Sequence, residues 1–390
     1  MPRAHRSDQF DAAEICVVHT IQRCVRRAFL AGTDPLTGKD YSFRRDWIRR
    51  RMEALASVFA IDVLSYAIMS NHVHQILRNR PDLVTSWSDE EVAIRWLKVF
   101  PGRRLDEQLA EPTKSDIETL CRDKQRLAEI RIRLSDISWF MRALAEPIAR
   151  MANRSDKCTG RFWEGRFKAQ RIVDEAGLLA CSMYVDLNPV RAAMAKTPDD
   201  SVHTSAYDRI QASKGKTMNS AAFDLVPIKN EEAGERFRTK TVEQLRNDCR
   251  RKRRNPTGRK IRRDRWLAPL TLQPGRQTND PQPSRDGLRG SDKGFLNLSL
   301  RDYLRILRWT ARQKFGSVAA AARIHVPKSL ERTLNTIGID AGMWRDLVWN
   351  YRRYFGGSIC VGRPETVRQH AEQTGRRWHR GHANSATCFA

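Results

Sequence analysis

Two short segments joined by a three-residue turn constrain the fold of this chain more than any other feature. Residues 61–68 and 72–77 have the length and the apolar content of strands, and residues 69–71 separate them. So short a connection between two strand-like runs is typical of a β-hairpin. The sequence therefore predicts a hairpin and an antiparallel sheet that contains it.

Strand and helix patterns alternate over the first half of the chain. Further strands are predicted at residues 15–21 and 169–173, and helices at residues 42–59, 135–153 and 174–187. Ser135 and Asp174 are placed to cap the second and third helices, and Asn188-Pro189 to end the last one. This order predicts an α+β fold in which helices pack on one face of a mainly antiparallel sheet.

The remaining regions differ in composition. Residues 81–134 are charged and poor in β-branched residues, which predicts a helical insertion outside the sheet. Residues 211–297 are predicted to form a basic, partly disordered linker region, in which residues 269–293 are rich in Pro, Gly, Asp and Gln. A small helical domain is expected over residues 298–360, followed by a basic and poorly ordered tail over residues 361–390.

Basic residues strongly outnumber acidic residues. The chain has 71 Lys and Arg against 45 Asp and Glu, for a net charge of +26. This excess implies a polyanionic partner, and nucleic acid is the first class to consider. A membrane surface is the second, but no apolar run approaches the roughly 20 residues of a spanning helix, and the N-terminus lacks a signal-peptide pattern. We therefore expect a soluble, cytoplasmic protein with no membrane contact.

The cysteines give no metal or redox motif. The chain has 8 of them, scattered and never in a Cys-x-x-Cys pair, which excludes zinc-finger and redox motifs of that spacing. In a cytosol they are expected to be free thiols.

His72 and His74 form the first candidate site. Side chains alternate between the two faces of a strand, so both imidazoles should point the same way while Val73 points into the core. Two imidazoles on one face of a sheet can bind one divalent cation. The alternative is a pair of surface histidines without a ligand. His19 on the first strand is a further neighbour, for which we expect a role in the core or in DNA contact.

Tyr184 and Asn188 form the second candidate site. They lie one helical turn apart, late in the last predicted helix, and so can face the same site. A metal ion polarises a phosphodiester, and a tyrosine becomes a competent nucleophile next to a cation. The alternative is that Tyr184 is a core aromatic residue with its hydroxyl at the surface.

Two basic stretches are candidate DNA contacts. The first mixes cations with aromatic residues that could stack on unpaired bases, or that could instead pack in the core: Arg161, Phe162, Trp163, Arg166, Phe167 and Lys168. The second is a dense basic run suited to the DNA backbone, or else a solvated segment, and includes Arg251, Arg253 and Arg254. Residues 317–334 suggest either a helix–turn–helix or a packed helical hairpin.

Three motifs occur together in one order along the chain. They are Tyr66-Ala-Ile-Met-Ser-Asn-His-Val-His74, Gly160-Arg-Phe-Trp-Glu-Gly-Arg-Phe-Lys168 and Tyr184-Val-Asp-Leu-Asn-Pro-Val-Arg191. Jointly they resemble the single-tyrosine HUH transposases of the insertion-sequence 200/605 type, and most of all the REP-associated tyrosine transposases. The resemblance covers roughly residues 10–200. The insertion at residues 81–134 and the C-terminal half depart from it.

The resemblance implies a function and a site. It implies a ferredoxin-like core, with residues 1–210 as the catalytic domain. His72 and His74 would bind Mg²⁺ or Mn²⁺, with Asn188 as a third ligand where some members have glutamine, and Tyr184 would be the nucleophile. Arg191 would contact DNA near the scissile phosphate. The reaction would cleave and rejoin single-stranded or hairpin DNA through a 5′-phosphotyrosine link, with the protein acting as a monomer or a homodimer.

Two other functions remain open from the sequence. One is a DNA-binding regulator of hairpin repeats that has lost catalysis. The other is a metal-dependent nuclease that uses water, with Tyr184 in a structural role. A covalent protein–DNA adduct distinguishes the transposase from both.

Overall fold

The computed structural model describes residues 11–25, 30–34, 37–102, 112–223, 259–272, 280–313 and 326–389. In this part of the chain, five strands form one sheet: β1 (Val17–Arg23), β2 (Ile61–Ile68), β3 (His72–Asn79), β4 (Lys168–Ile172) and β7 (Cys360–Val361). Their order in the sheet is β2-β3-β1-β4-β7. The first four pair antiparallel, whereas β7 pairs parallel to β4. The predictions of a hairpin and of an α+β fold with a mainly antiparallel sheet are confirmed.

Two crossover helices cover one face of this sheet. Helix α1 (Phe43–Ala56) connects β1 to β2, and α6 (Ile137–Ser155) lies between β3 and β4 in the chain. They pack against each other and, with Val73 and Leu77 of β3, form one apolar core. Asp136, rather than the predicted Ser135, caps α6 by accepting a hydrogen bond from the backbone of Ser138.

The opposite face of the sheet is covered by α7 (Glu175–Arg191). Leu64, Ala67 and Ile76 of the sheet pack in a second core with this helix. The prediction that helices pack on one face is therefore wrong. Strand β2 contributes apolar side chains to both cores, so each face of the sheet has to be covered.

The start of helix α7 agrees with the prediction, but its end does not. Asp174 caps it as predicted, by accepting a hydrogen bond of 2.7 Å from the Gly177 amide. The helix does not end at Asn188-Pro189 but continues to Arg191. Pro189 lacks an amide proton, so it removes one hydrogen bond of the last turn without ending the helix there.

The segment between β3 and α6 is helical where it is described. It contains α2 (Pro81–Val84), α3 (Asp89–Val99), α4 (Lys114–Arg122) and α5 (Lys124–Arg133), which pack on one another. None of them joins the sheet, in agreement with the helical insertion expected from its composition.

Much of the C-terminal half packs against the second face of the sheet and α7. It contains α8 (Ser205–Ser213), the two-stranded β5 (Thr217–Asn219) and β6 (Lys260–Arg262), α9 (Leu300–Arg312), α10 (Lys328–Thr336), α11 (Ala341–Trp349), α12 (Tyr351–Phe355), α13 (Pro364–Gln373) and α14 (His382–Cys388). Buried hydrogen bonds join the halves, such as the 2.6 Å bond from the Tyr303 hydroxyl to Asp186 of α7.

Two predictions about the C-terminal half are wrong for the residues that the structure describes. Residues 280–293 are not a flexible linker, because Ser291 is buried and bonded to Asp62 of β2. Residues 361–389 are not a poorly ordered tail, because they contain α13 and α14 and follow directly from the sheet strand β7. None of the seven described cysteines forms a disulfide, and Cys249 lies outside the described residues.

No helix in the described part of the chain has the length and apolar character needed to cross a membrane. The first half of the segment predicted as a helix–turn–helix or a packed helical hairpin, residues 317–325, lies outside the described residues, and α10 covers the end of its second half.

Candidate active site

The two histidines of β3 lie on one face of the sheet, as their spacing predicts, and α7 covers this face. Val73 between them is buried in the core on the α1 side, so His72 and His74 share the opposite face. Their ring centroids lie 4.7 Å apart. His74 is 2% exposed, whereas His72 at the start of the strand is partly exposed.

His19 belongs to the same cluster. It lies on β1 beside β3, and its Nε2 is 2.9 Å from Nδ1 of His74. His72 in turn hydrogen-bonds through Nδ1 to the Asn71 side chain. Both pairings occupy Nδ1 of a β3 histidine, which leaves Nε2 of His72 and of His74 as the nitrogens available to a ligand. His19 therefore orients His74, a role in addition to the core position expected for it.

Tyr184 of α7 lies directly against the histidines. Its ring is 5.5 Å from that of His74 at an interplanar angle of 90°, and 6.1 Å from that of His19. On its other side Tyr351 of α12 stacks on it, with centroids 4.6 Å apart and an angle of 19°. Tyr184 is 5% exposed and faces a pocket rather than open solvent.

This pocket has a volume of about 270 Å³ and is shared by the sheet, α7 and α12. Its lining contains the three histidines, Tyr184 and Tyr351, together with four cationic side chains and one acidic one: Arg23, Arg166, Lys168, Arg352 and Glu164. Arg23 and Glu164 form an exposed ion pair at 3.8 Å. The balance of charge favours an anionic ligand such as a phosphodiester.

The histidines of the cluster are held neutral. Burial lowers the pKa of His19 to about 4, and burial together with Arg23 and Arg352 lowers the pKa of His72 to about 4. Burial, then His72 and His19, lower the pKa of His74 well below its ordinary value. A neutral imidazole keeps the lone pair that a metal ion requires.

The donors present suit a divalent cation only in part. In the part of the chain that the structure describes, no three or more His, Cys, Asp and Glu residues are grouped so that they could hold a metal ion. Nε2 of His72 and of His74 provide two donors. The remaining coordination positions would have to be filled by oxygen atoms. The oxygens of a bound DNA phosphate and of water suit Mg²⁺ or Mn²⁺.

Asn188 is the least supported member of the predicted site. It is 5% exposed, and its side-chain nitrogen is buried with no hydrogen-bond partner among the described residues. It does not contribute to the pocket lining in this structure. Its role as a third metal ligand stays a prediction.

Arg191 lies beside the tyrosine. Its guanidinium is 4.9 Å from the centre of the Tyr184 ring, and it donates a 3.2 Å hydrogen bond to the backbone oxygen of Trp349. These contacts fix a positive charge against the ring face, a favourable cation–π arrangement. The predicted DNA contact of Arg191 stays a prediction.

The Gly-Arg-Phe-Trp motif divides between two cavities. Lys168 lines the pocket, Arg161 and Trp163 line an open groove of about 720 Å³ along α6, and Arg166 lines both. Phe162 and Phe167 are buried in the core, which is the packing role left open for them. The Trp163 indole is partly buried and donates a 2.7 Å hydrogen bond to Ala145. Arg251, Arg253 and Arg254 lie outside the described residues.

The sequence did not identify the contribution of the C-terminal half to the pocket. Tyr351 and Arg352 come from α12, more than 150 residues after Tyr184 in the chain. Gln170 of β4 holds that wall in place, because it accepts a 3.1 Å hydrogen bond from the Tyr351 hydroxyl and donates one of 2.6 Å to the Phe355 backbone. No local pattern marks these residues, since only tertiary packing brings them to the site.

The buried histidines predict a loss of stability in mild acid. Between pH 6.5 and about 4 the unfolded chain protonates His19 but the folded chain does not, so stability falls as the pH falls. For His19 alone the loss is about 2 kcal/mol at about pH 5. Urea unfolding at pH 7 and pH 5 should therefore show a smaller pH dependence for His19→Gln than for the wild type. An equal pH dependence in His19→Gln and in the wild type would contradict the conclusion that burial lowers the pKa of His19.

No family model matches the chain, and no curated protein matches it. Among solved structures, the chain is similar to a REP-associated tyrosine transposase bound to a REP hairpin, with 12% sequence identity and a TM-score of 0.30. That match covers 57% of this chain and 92% of the other. A similarity this weak does not bear on the function.

Proposed function

We propose that the protein cleaves and rejoins single-stranded DNA, with Tyr184 as the nucleophile and His72 and His74 as ligands of one divalent cation. The observation that carries the proposal is the contact between the Tyr184 ring and the His74 ring, at 5.5 Å in a cationic pocket. Residues more than 100 positions apart in the chain meet there in the combination that the chemistry requires. Strands β1–β4 with α1 and α6 would be its ferredoxin-like core.

The histidines would hold Mg²⁺ or Mn²⁺ through Nε2. The Asn71 side chain and His19 occupy the Nδ1 atoms and set the orientation of the two rings, as partners of metal-bound histidines usually do. A bound cation supplies positive charge that polarises the scissile phosphodiester. Arg191, Arg352 and Lys168 supply further positive charge around the same space.

The proposed reaction conserves phosphodiester bonds. The Tyr184 hydroxyl oxygen attacks phosphorus and loses its proton to solvent, a bond from phosphorus to tyrosine forms, and the bond to the 3′ oxygen breaks. The leaving 3′ oxygen takes up a proton, which gives a free 3′-hydroxyl and a 5′-phosphotyrosine. In the second step a 3′-hydroxyl attacks the same phosphorus and Tyr184 leaves and regains a proton. No nucleotide cofactor is consumed.

The groove along α6 provides a path for the strand outside the pocket. It adjoins the pocket at Gly165 and Arg166, which line both cavities. Its wall combines Trp139 and Trp163 with Arg142 and Arg161, a mixture of aromatic and cationic side chains suited to unpaired bases and phosphates. We propose that DNA leaving the pocket follows this groove.

A nuclease that uses water is the second candidate function. The stacking of Tyr351 on Tyr184 and the 5% exposure of Tyr184 favour a structural role for the tyrosine. In this alternative the histidines would still bind the cation, but no covalent intermediate would form. The two functions therefore differ in one observable product.

The test is a search for that product. The full-length chain is incubated with Mn²⁺ and single-stranded oligonucleotides that carry a hairpin, a randomised segment and a label at the 3′ end. A 5′-phosphotyrosine intermediate leaves the labelled part on the protein, so a labelled band of the size of the protein is expected on a denaturing gel. Tyr184→Phe should remove this band.

Tyr351→Phe is the matched control. It removes the hydroxyl of the other tyrosine in the pocket, which bonds to Gln170, and should leave the adduct in place. Cleavage without an adduct would identify the water nuclease. DNA binding with neither cleavage nor adduct in any metal would identify a catalytically inactive binding protein, and either result would overturn the proposal.

A further inference from the structure

An exposed tryptophan stands out on the surface of the C-terminal region. Trp378, in the loop between α13 and α14, is 68% exposed and is the most exposed large hydrophobic side chain of the described residues. Burying a tryptophan is strongly favourable, so one held in solvent is expected to serve a contact that the free protein lacks.

The surroundings of Trp378 are cationic. Arg377 and Arg380 are exposed on the same loop, and Arg376 precedes them. No Asp or Glu occurs after Glu372, the last acidic residue of the chain. An exposed aromatic ring among arginines is complementary to a strand that offers both unpaired bases and phosphates.

The loop has a defined position despite its exposed tip. His379, next to Trp378, is 1% exposed, and its ring lies 5.1 Å from that of His370 of α13. Gly381 approaches Ser358 so closely that no β-carbon would fit there. Trp378 is therefore presented from an anchored loop, which reduces the entropy lost when a ligand binds.

The anchor also connects the loop to the candidate active site. Ser358, against which Gly381 packs, lines the pocket together with Gly356 and Tyr351. The neighbouring Gly357 packs against the Arg380 guanidinium. The loop that carries Trp378 therefore lies beside the wall of the pocket that α12 forms.

We propose that Trp378 stacks on an unpaired base of single-stranded DNA, and that Arg377 and Arg380 contact the adjacent phosphates. The inference rests on the proposed function for the identity of the ligand as single-stranded DNA, but not for any chemical step. The loop would extend the DNA-binding surface beyond the pocket, at the end formed by the C-terminal half.

The test measures binding without catalysis. Anisotropy of a labelled single-stranded oligonucleotide is followed in the full-length Tyr184→Phe protein with EDTA, so that failure of the proposed chemistry leaves the result unaffected. Trp378→Ala is expected to weaken binding on the order of 10-fold, as loss of one stacked base does, and Trp378→Phe to retain most of the affinity. Ile132→Ala, which truncates a residue that is 61% exposed on α5, should have no effect.

A strand with abasic sites separates stacking from charge. Because such a strand keeps its phosphates and lacks bases, the effect of Trp378→Ala should disappear on it, whereas Arg377→Gln should weaken the binding of both strands. Unchanged affinity of Trp378→Ala for the normal strand, or an equal loss on the abasic strand, would overturn the inference. The former result would point to a protein partner for this surface.

Discussion

Replacing His72 with alanine is expected to abolish Mn²⁺ binding and covalent capture of DNA without unfolding the protein. His72 would provide one of the two nitrogens proposed to bind the cation, and it lies partly exposed at the first position of β3. Loss of a direct ligand should exceed the 10–100-fold effect typical of residues that only orient ligands, so we expect a loss of affinity above about 100-fold. Isothermal titration with Mn²⁺ measures it.

His19 and His203 provide graded controls for this prediction. His19→Gln, which disturbs only the orientation of His74, should weaken Mn²⁺ binding by about 10–100-fold. His203 lies outside the pocket, paired with Asp46 at 2.9 Å, and has a positive φ of 65° that asparagine tolerates. His203→Asn should bind Mn²⁺ as the wild type does. Unchanged Mn²⁺ affinity in His72→Ala would exclude the histidine pair as the metal site.

Replacing Asp62 with alanine is expected to destabilise the fold by about 3–5 kcal/mol, the effect of breaking a buried ion pair by removing one partner. The Asp62 carboxylate is fully buried on β2 and accepts hydrogen bonds from Arg78 at 2.7 Å and from the Ser291 amide at 2.8 Å. Arg80 approaches it at 3.5 Å. The variant would leave two buried guanidinium groups without their shared counter-ion. Chemical denaturation measures the change in the free energy of unfolding.

The same variant should loosen residues 280–294. Ser291 bonds directly to Asp62, and Arg78 donates hydrogen bonds to the backbone oxygens of Lys293 and Gly294. Ser291→Ala removes a hydroxyl that donates to Asp62 and accepts a 2.6 Å hydrogen bond from Arg80, but it keeps the charges paired, so it should cost less, about 1.5–3 kcal/mol. In Asp62→Ala, hydrogen exchange should increase over residues 280–294 before it increases elsewhere in the protein. A destabilisation of Asp62→Ala no larger than that of Ser291→Ala would show that the carboxylate does not hold the segment.

The sheet and one part of the site were predictable because they follow local rules. The period of two along a strand is enough to place His72 and His74 on one face and Val73 on the other. Helical spacing likewise located α1, α6 and α7. The position of Tyr184 beside the histidines did not follow from spacing, and its selection depended on the resemblance of the three motifs.

The remaining features depend on contacts between distant residues. The composition of residues 269–293 indicated a flexible linker, yet Ser291 is buried. A single distant carboxylate, that of Asp62, binds this segment, and the composition of the segment contains no information about it. Apolar residues on both sides of β2 require helices on both faces of the sheet, whereas the prediction placed the helices on one face only. Tyr351 and Arg352 reach the pocket from α12 through packing of the C-terminal half, and no signal near them in sequence indicates a site.

The proposed catalytic region depends on contacts from the C-terminal half. Residues 1–210 contain the histidines and Tyr184 but lack the α12 wall of the pocket. The stacking partner of Tyr184 and the backbone carbonyl that accepts the hydrogen bond from Arg191 both come from residues 349–351. Experiments on the site therefore require the full-length chain.

The most direct test of the central claim is to identify the residue that becomes attached to DNA. The protein–DNA adduct is digested with protease and nuclease, and the modified peptide is sequenced by mass spectrometry. We expect a nucleotide linked through its 5′ phosphate to Tyr184, in the peptide that continues to Arg191. Attachment to another residue such as Tyr351, or through a 3′ phosphate, would contradict the assignment of Tyr184 as the nucleophile.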